Sequence, residues 1–555
     1  MFAWITELDT ERVPLAARLR NLWPVLIPLC ITFVLTLVQW LWWKYNVWNL
    51  SSLPTSKCKY HVIMTTTILA SVFKNKVADA NVLFFQILRG MCSITQQMNQ
   101  GIFYFWTGLR PVVFCFSPEF FEAILKNPNN VRKSFDYTFL SLWLKEGLVT
   151  SEGPKWKQRR RALTTAFHFR ILEDFVSVFD DQSKYMVEKL KNVPEKNRVI
   201  DIVPYITRCT LDIICETAMG LRINAQDNED SFYVRAMHRV AEGFIGRLLR
   251  PWLWSDLIYF RTKRGQEFKA NAAKMDEFTR KLSININHMI SGTSRNDGNQ
   301  LYGYIERKSE LLARLKNNED TLNRNPEKKK AFMDLLLDMH LSDPKSFTER
   351  DIQEEVDSFM FAGHDTTAVG TSWVLYLLGL HPEVQDKILE ELDRECGDDP
   401  DKPFQEDCLK RLKYLECVIK EAQRIYTPAP FIGRQLQEDV EVDGFKIPKG
   451  TTCMLVIYML HRHPESFPDP EIFNPDRFLP ENCLDRHPFA YCPFSAGSRS
   501  CIGQKFAMLE EKVMIANVLR NFRVRSVDQR DKLHLSAEMV LRSRNGIRLE
   551  LTPRK

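Results

Sequence analysis

The chain has 555 residues, of which 45% are hydrophobic, and a formal net charge of +6. That length and apolar content exclude a disordered polypeptide and allow a large buried core, and a charge so small over this length gives no case for nucleic-acid binding. The thirteen cysteines contain no C-x-x-C pair, which argues against a zinc ribbon or a thioredoxin-like motif.

Residues 1–21 are mixed in charge. Residues 22–43 form an apolar run broken by Thr32, Thr36 and Gln39, and as a helix of roughly 33 Å it would cross a bilayer core. Trp23, Trp40, Trp42 and Trp43 lie towards its ends, as in an interfacial aromatic belt. The run is too long for a signal-peptide core and no small-residue cleavage site follows, so a transmembrane anchor is expected. Arg12, Arg18 and Arg20 precede it and Lys44, Lys57 and Lys59 follow, leaving its orientation unread. Residues 44–100 read as a membrane-proximal linker. Within them, Val62 to Phe73 is a second apolar patch that suits either a membrane surface or a core.

From Gly101 onwards, Gly101–Trp106 and Pro111–Phe116 read as strands of a small sheet. Long helical patterns follow. Trp156 and Arg160 share a helix face, a spacing that a basic surface helix explains equally well. Lys155, Lys157, Arg159 and Arg161 read as solvated, or as a dock for an acidic redox partner. Residues 291–331 are a polar excursion. Thr348 and Asp351 form a capping box for a helix running to about Leu380, where His381-Pro382 stops it. In its middle lies Ala362-Gly363-His364-Asp365-Thr366-Thr367. Such a polar cluster is costly in a buried helix unless it is paired or faces a cavity. Thr366 could merely bond back to the Ala362 carbonyl and bend the helix, or the opened turn could receive a ligand and a water.

Further on, Glu421 and Arg424 share a face of the helix Leu412–Ile425, although Glu391 and Arg394 repeat the same E-x-x-R pattern. Val440–Leu455 alternates around Asp443-Gly444 and reads as a hairpin. Near the end, Phe494-Ser-Ala-Gly497-Ser-Arg499-Ser-Cys501-Ile-Gly503 precedes a helical run, Gln504 to Phe522. A cysteine ahead of a helix meets free N–H groups that favour the thiolate, which makes Cys501 a candidate metal ligand; the plain alternative is a small buried residue beside two turn glycines.

The spacing F-x-x-G-x-R-x-C-x-G resembles the heme-ligating signature of the cytochrome P450 superfamily, and A-G-x-D-T-T resembles its oxygen-activating helix segment. The longer strings Phe359–Thr367 and Gly503–Ala507 are similar to family four, the fatty-acid ω-hydroxylases and their relatives. The resemblance implies a mainly α fold with small β-sheets (α+β), with one large catalytic domain at 101–555 behind the anchor. It implies heme b with Cys501 as axial thiolate, Phe494, Gly497 and Gly503 around the ring, and Arg499, Trp156 and Arg160 at the heme propionates. Asp365 and Thr366 would take the proton-relay and oxygen-handling roles, while Ala362 and Gly363 would keep the space above iron open. Glu421, Arg424 and Arg477 would form a buried ionic triad. Many family-four members carry a glutamate, able to esterify the heme, at the position of Ala362, so the heme here is expected to be non-covalent. The implied activity is NADPH-dependent hydroxylation of a lipophilic substrate, served by NADPH-cytochrome P450 reductase and cytochrome b5 at the endoplasmic reticulum membrane, with the catalytic domain in the cytosol. No flavin domain or G-x-G-x-x-G fingerprint is present to replace the reductase. A reductase-independent isomerase or dehydratase and a non-enzymatic heme-binding protein are the rival readings.

Overall fold

The computed structural model describes residues 77–290 and 332–554, apart from 108–109, 168, 195–197, 229–230 and 400, together with Val34 and Leu37. The expected anchor at 22–43 (those two residues aside), the patch Val62–Phe73 and the polar excursion 291–331 lie outside the described residues. Among the described residues, no helix is long and apolar enough to cross a membrane.

Helices dominate, with small sheets at the periphery. The first, α1 (Val77–Gln97), puts Val82, Phe85, Leu88 and Cys92 on one buried stripe. Phe85 meets the ring of Tyr458 edge-on, with centroids 5.0 Å apart. This helix falls in the stretch read as linker, so the folded unit begins before the expected boundary at 101. Its three- and four-residue apolar spacing is what makes it a core element.

Ile102–Thr107 and Arg110–Cys115 pair antiparallel; Thr452–Leu455 lies parallel to the second strand, and Ile432–Gln435 closes this four-stranded sheet. The expected hairpin at 440–455 is shorter than its pattern. Val440–Val442 and Phe445–Ile447 turn through Asp443 (φ 51°) and Gly444 (φ 76°), whereas Thr452–Leu455 joins the larger sheet. Period-two alternation marks a strand without saying which sheet receives it.

The helices that build the site are α2 (Gly153–Leu163), α3 (Val203–Ala218), α4 (Phe232–Leu248), α5 (Glu349–Leu380), α6 (Pro382–Cys396), α7 (Glu406–Arg411), α8 (Lys413–Ile425) and α9 (Gln504–Asn521). The central one is α5. The Thr348 hydroxyl accepts from the Asp351 N–H at 3.4 Å and the Asp351 carboxylate accepts from the Thr348 N–H at 2.7 Å, completing the capping box. Pro382 opens α6 directly after its end.

Helix α9 crosses α5 closely. A Cβ on Gly370 would lie 2.3 Å from Glu511 Oε1, so a larger residue there would displace the Glu511 carboxylate. Roughly 10 Å of helix separates Gln504, just after the cysteine loop, from Glu511 at the contact. The crossing thereby fixes the loop relative to the middle of α5.

Candidate active site

The cysteine loop is shaped by its backbone. Cys501 N–H donates to the Phe494 carbonyl at 2.8 Å and Ser500 N–H to the Gly497 carbonyl at 3.0 Å. Gly497 has φ +68°, and a Cβ there would stand 1.9 Å from the Leu125 carbonyl oxygen. The glycine is therefore required twice, by conformation and by contact. The side chain of Cys501 is reachable by solvent and yet surrounded deeply enough that burial pushes its thiol pKa up, against the Gly503 N–H and the charge of Arg160. A group both accessible and desolvated lines an interior void. Burial thus opposes the thiolate bias expected from the helix start, and a coordinated metal would reverse that balance.

Around the loop stand cations. Arg160 donates from Nη1 to the Ser500 carbonyl at 2.7 Å. Arg499 is held by the carbonyls of Val131 (3.1 Å), Leu148 (3.3 Å) and Ser151 (2.6 Å), and its guanidinium lies 3.9 Å above the buried Trp156 ring. Burial and the neighbouring Arg434 push Arg499 down to about 9. Arg434 is itself 1% exposed, and burial followed by the charges of Arg434 and Arg499 holds Lys133 well below the usual lysine range. The buried acid beside them, Asp136, is pushed up by its own burial.

From Glu354 to Gly379, the positions of α5 that are not buried are Ala362, Gly363 and Thr366. Ala362 and Thr366, one turn apart, mark the accessible face of this stretch of helix. Thr366 donates to the Ala362 carbonyl at 2.6 Å and Thr367 to the Gly363 carbonyl at 2.9 Å, while the helix remains unbroken through Gly363. Its turn is not opened. A Cβ on Gly363 would meet the Ile214 side chain at 2.6 Å, so this glycine makes room for α3. Asp365 is fully buried and paired with Arg542, whose charge lowers its pKa against the cost of burial. Its second oxygen, Oδ2, has no hydrogen-bond partner. His364 bonds the Met360 carbonyl through Nδ1 at 2.6 Å, and the Thr210 hydroxyl donates to the His364 carbonyl at 3.0 Å.

The cytochrome P450 family model matches residues 81–551. The chain belongs to the cytochrome P450 family. As a cytochrome P450 it is a monooxygenase, an oxidoreductase whose family holds heme b through a cysteine thiolate. Cytochrome P450 4c3 of Drosophila melanogaster is 45% identical over 462 residues, 82% of each chain. Cytochrome P450 4V2 is 45% identical over 456 residues in Mus musculus and 44% over 452 residues in Homo sapiens, each match covering 81% of this chain and 82% of the relative. The chain is thus similar to P450s of the fourth family.

The residues fit such a cofactor. An accessible cysteine fits the iron ligand, an accessible face of α5 leaves room, and the crowded cations Arg434, Arg499 and Lys133 fit a group bearing carboxylates. Lys133 and Arg434 were invisible to motif reading, since neither belongs to a recognisable pattern; so was Arg542, which approaches Asp365 from near the C-terminus. The four basic residues around Trp156 also divide. Lys157 and Arg161 are exposed, but Arg159 is 4% exposed and binds Asp351, Glu354 (3.0 Å) and Glu355 (2.8 Å), with Lys155 joining at Glu354 (3.1 Å). Those two tie α2 to the start of α5 and are not free for a partner.

The supporting frame of this P450 is assembled on α8. Arg424 grips Glu421 with two hydrogen bonds (2.7 and 2.8 Å) and also donates to the carbonyls of His461, Pro470 and Ile472. Arg477 Nε stands 3.6 Å from Glu421, and the Asn474 N–H donates to the same carboxylate at 2.9 Å. Glu421 and Arg424 are wholly buried.

Proposed function

We propose that this P450 is a membrane-anchored monooxygenase that hydroxylates a long-chain fatty acid or related lipid at or near its ω end. The observation that carries the site assignment is the pairing of one accessible cysteine with one accessible stretch of an otherwise buried helix. Cys501 would hold the heme through its thiolate, and the bound group would supply oxygen activation. Cys501 is oriented by its bond to the Phe494 carbonyl and tuned by the Gly503 N–H. Arg499, Arg434, Lys133, Arg160 and Trp156 would receive the cofactor's carboxylates. Thr366 gives its own proton to the Ala362 carbonyl, which leaves its oxygen free to accept from water in the void. Asp365, kept ionised by Arg542, acts as an acceptor that orients a water through its unpartnered oxygen, not as the proton's source.

Ala362 offers no carboxylate, so the heme is held without an ester bond; acid–ketone extraction is expected to strip it from the polypeptide. Electrons come from NADPH through a reductase, with cytochrome b5 as a second donor, at the endoplasmic reticulum membrane reached by residues 22–43. Support for the lipid class is the likeness of Phe359–Thr367 to family four and the apolar anchor. The test is a membrane preparation with reductase and NADPH, screened against mixed lipids, with products located by mass spectrometry. Terminal hydroxy fatty acids are expected. Oxidation confined to sterols or internal carbons would reject the substrate assignment, and product formed without NADPH would favour the isomerase reading.

A further inference from the structure

The side of α5 that carries Asp365 continues beyond the active site. Asp365, Val369 and Trp373 follow one another at four-residue spacing and so share a face. Past Asp365 that face lines a cavity of about 280 Å³, whose other walls come from α3, α4 and the strand Leu541–Ser543. The indole of Trp373 donates to the Leu541 carbonyl at 2.8 Å and pins strand to helix, so the cavity has a fixed back wall. Its volume is at the lower end for small-molecule sites. Neither Ala362 nor Thr366 lines it.

The walls divide by chemistry. Val369, Trp373, Leu541 and Ile547 are buried and apolar. Four guanidiniums, those of Arg208, Arg235, Arg542 and Arg544, stand against one carboxylate, Asp201. That acid is already engaged by the N–H groups of Val203 (3.2 Å) and Ile547 (3.0 Å). Arg235 and Arg544 are exposed and Arg208 is half-buried, which places them at the mouth. Deeper in, Arg542 pairs with Asp365 through Nη2. Its Nε and the neighbouring Ser543 hydroxyl are buried and have no hydrogen-bond partner; the Glu538 carboxyl stands 3.8 Å from that nitrogen, beyond hydrogen-bond reach. His238 adds no negative charge. Burial, then the charge of Arg542, lowers its pKa to about 4, so its ring is neutral. Buried donors without acceptors, in a cationic wall beside apolar surface, match an anion that carries an apolar body.

We propose that this cavity is a second ligand site, separate from the one above Cys501, for a medium-chain carboxylate. The carboxylate accepts from the Arg542 Nε and the Ser543 hydroxyl, and the apolar body lies against Val369, Trp373 and Leu541. Arg208, Arg235 and Arg544 draw the anion to the mouth. Occupant and Asp365 then share one guanidinium, which ties the filled cavity to α5 without blocking the face of Thr366. The site does not depend on which lipid is hydroxylated.

The test uses the full-length heme-loaded protein with imidazole saturating the iron, a diazirine-bearing octanoate as probe, and crosslinks mapped by peptide mass spectrometry. Label is expected within 203–208, 234–238 or 541–547, removed by excess octanoate and retained in matched octanol or inorganic phosphate. Combining Arg208→Gln with Arg544→Gln is expected to lower that label about fivefold while the Soret band stays unchanged. The wild-type competition series stands alone should the double variant fold poorly. Equal competition by octanol would mean an apolar cavity without anion recognition, and equal competition by phosphate would mean a charge site that ignores the body; either overturns the proposal. So does label confined to 362–366, label scattered over the surface, or a folded double variant labelled like wild type.

Discussion

The chain spells E-x-x-R twice within about thirty residues, and the two copies meet opposite fates. Glu421 and Arg424 face the interior of α8, are wholly buried, and hold each other with two hydrogen bonds. Glu391 and Arg394 lie on α6 and part company. Glu391 accepts from the N–H groups of Tyr414 (2.7 Å) and Leu415 (2.9 Å), capping the start of α8, whereas the side chain of Arg394 is 66% exposed and leans on Glu395. The i, i+3 spacing makes a pairing geometrically available in both copies. What decides the outcome is competition: where backbone donors lie within reach, the carboxylate takes them, and where water is excluded, it must take the guanidinium.

Removing one partner of the buried copy should have the largest effect. Arg424→Ala strands a desolvated carboxylate and is expected to cost about 3–5 kcal/mol, read by urea unfolding of the heme-loaded protein. A loss below about 1 kcal/mol would mean that water or Arg477 replaces the missing partner. Next comes a buried carboxyl with no arginine at all. Glu511 meets the amide of Gln423 at 2.9 Å, and burial lifts its pKa from 4.5 to about 8. An acid whose pKa rises on folding keeps a proton that the unfolded chain releases, so stability falls as pH climbs through the window between those values and levels off above it. Glu511→Gln should remove that slope, gaining on the order of 2–4 kcal/mol over wild type at pH 8, with little difference near pH 5. Parallel stability curves for the two proteins across this range would show that Glu511 ionises without cost.

Smaller effects belong to the divided copy. Glu391→Ala should cost about 1–2 kcal/mol, because it uncaps α8 without stranding a charge. Arg394→Ala should fall within about 0.5 kcal/mol of wild type, as exposed ion pairs generally do. Should Arg394→Ala rival Glu391→Ala in a thermal melt, the contrast between the copies would fail.

Local signals in the sequence reached the parts of the site that local geometry determines. The capping box of Thr348 and Asp351, the stop at His381-Pro382 and the turn at Asp443-Gly444 each depend on residues a few positions apart, and each forms. Cys501 and Thr366 were picked out because a whole string of residue types stands at fixed spacing. The misreadings involve distant partners. Helix α1 was passed over because its stripe finds a core only after the chain has folded back; Arg159 looked solvated because its acids lie on another helix. Nor does anything local reveal that Gly363 makes room for Ile214. Arg434 and Arg542 lie in short strands where no spacing rule distinguishes a buried cation from an exposed one.

The crowding of Lys133, Arg434 and Arg499 has a consequence beyond recognition. These groups repel one another in the protein interior, so a polypeptide lacking its prosthetic group folds against its own electrostatics. Binding a dianion relieves that opposition, and by mass action the native population then follows RT ln(1 + [L]/Kd). The expected consequence is that the chain without heme spends more time in the open states that proteases cleave.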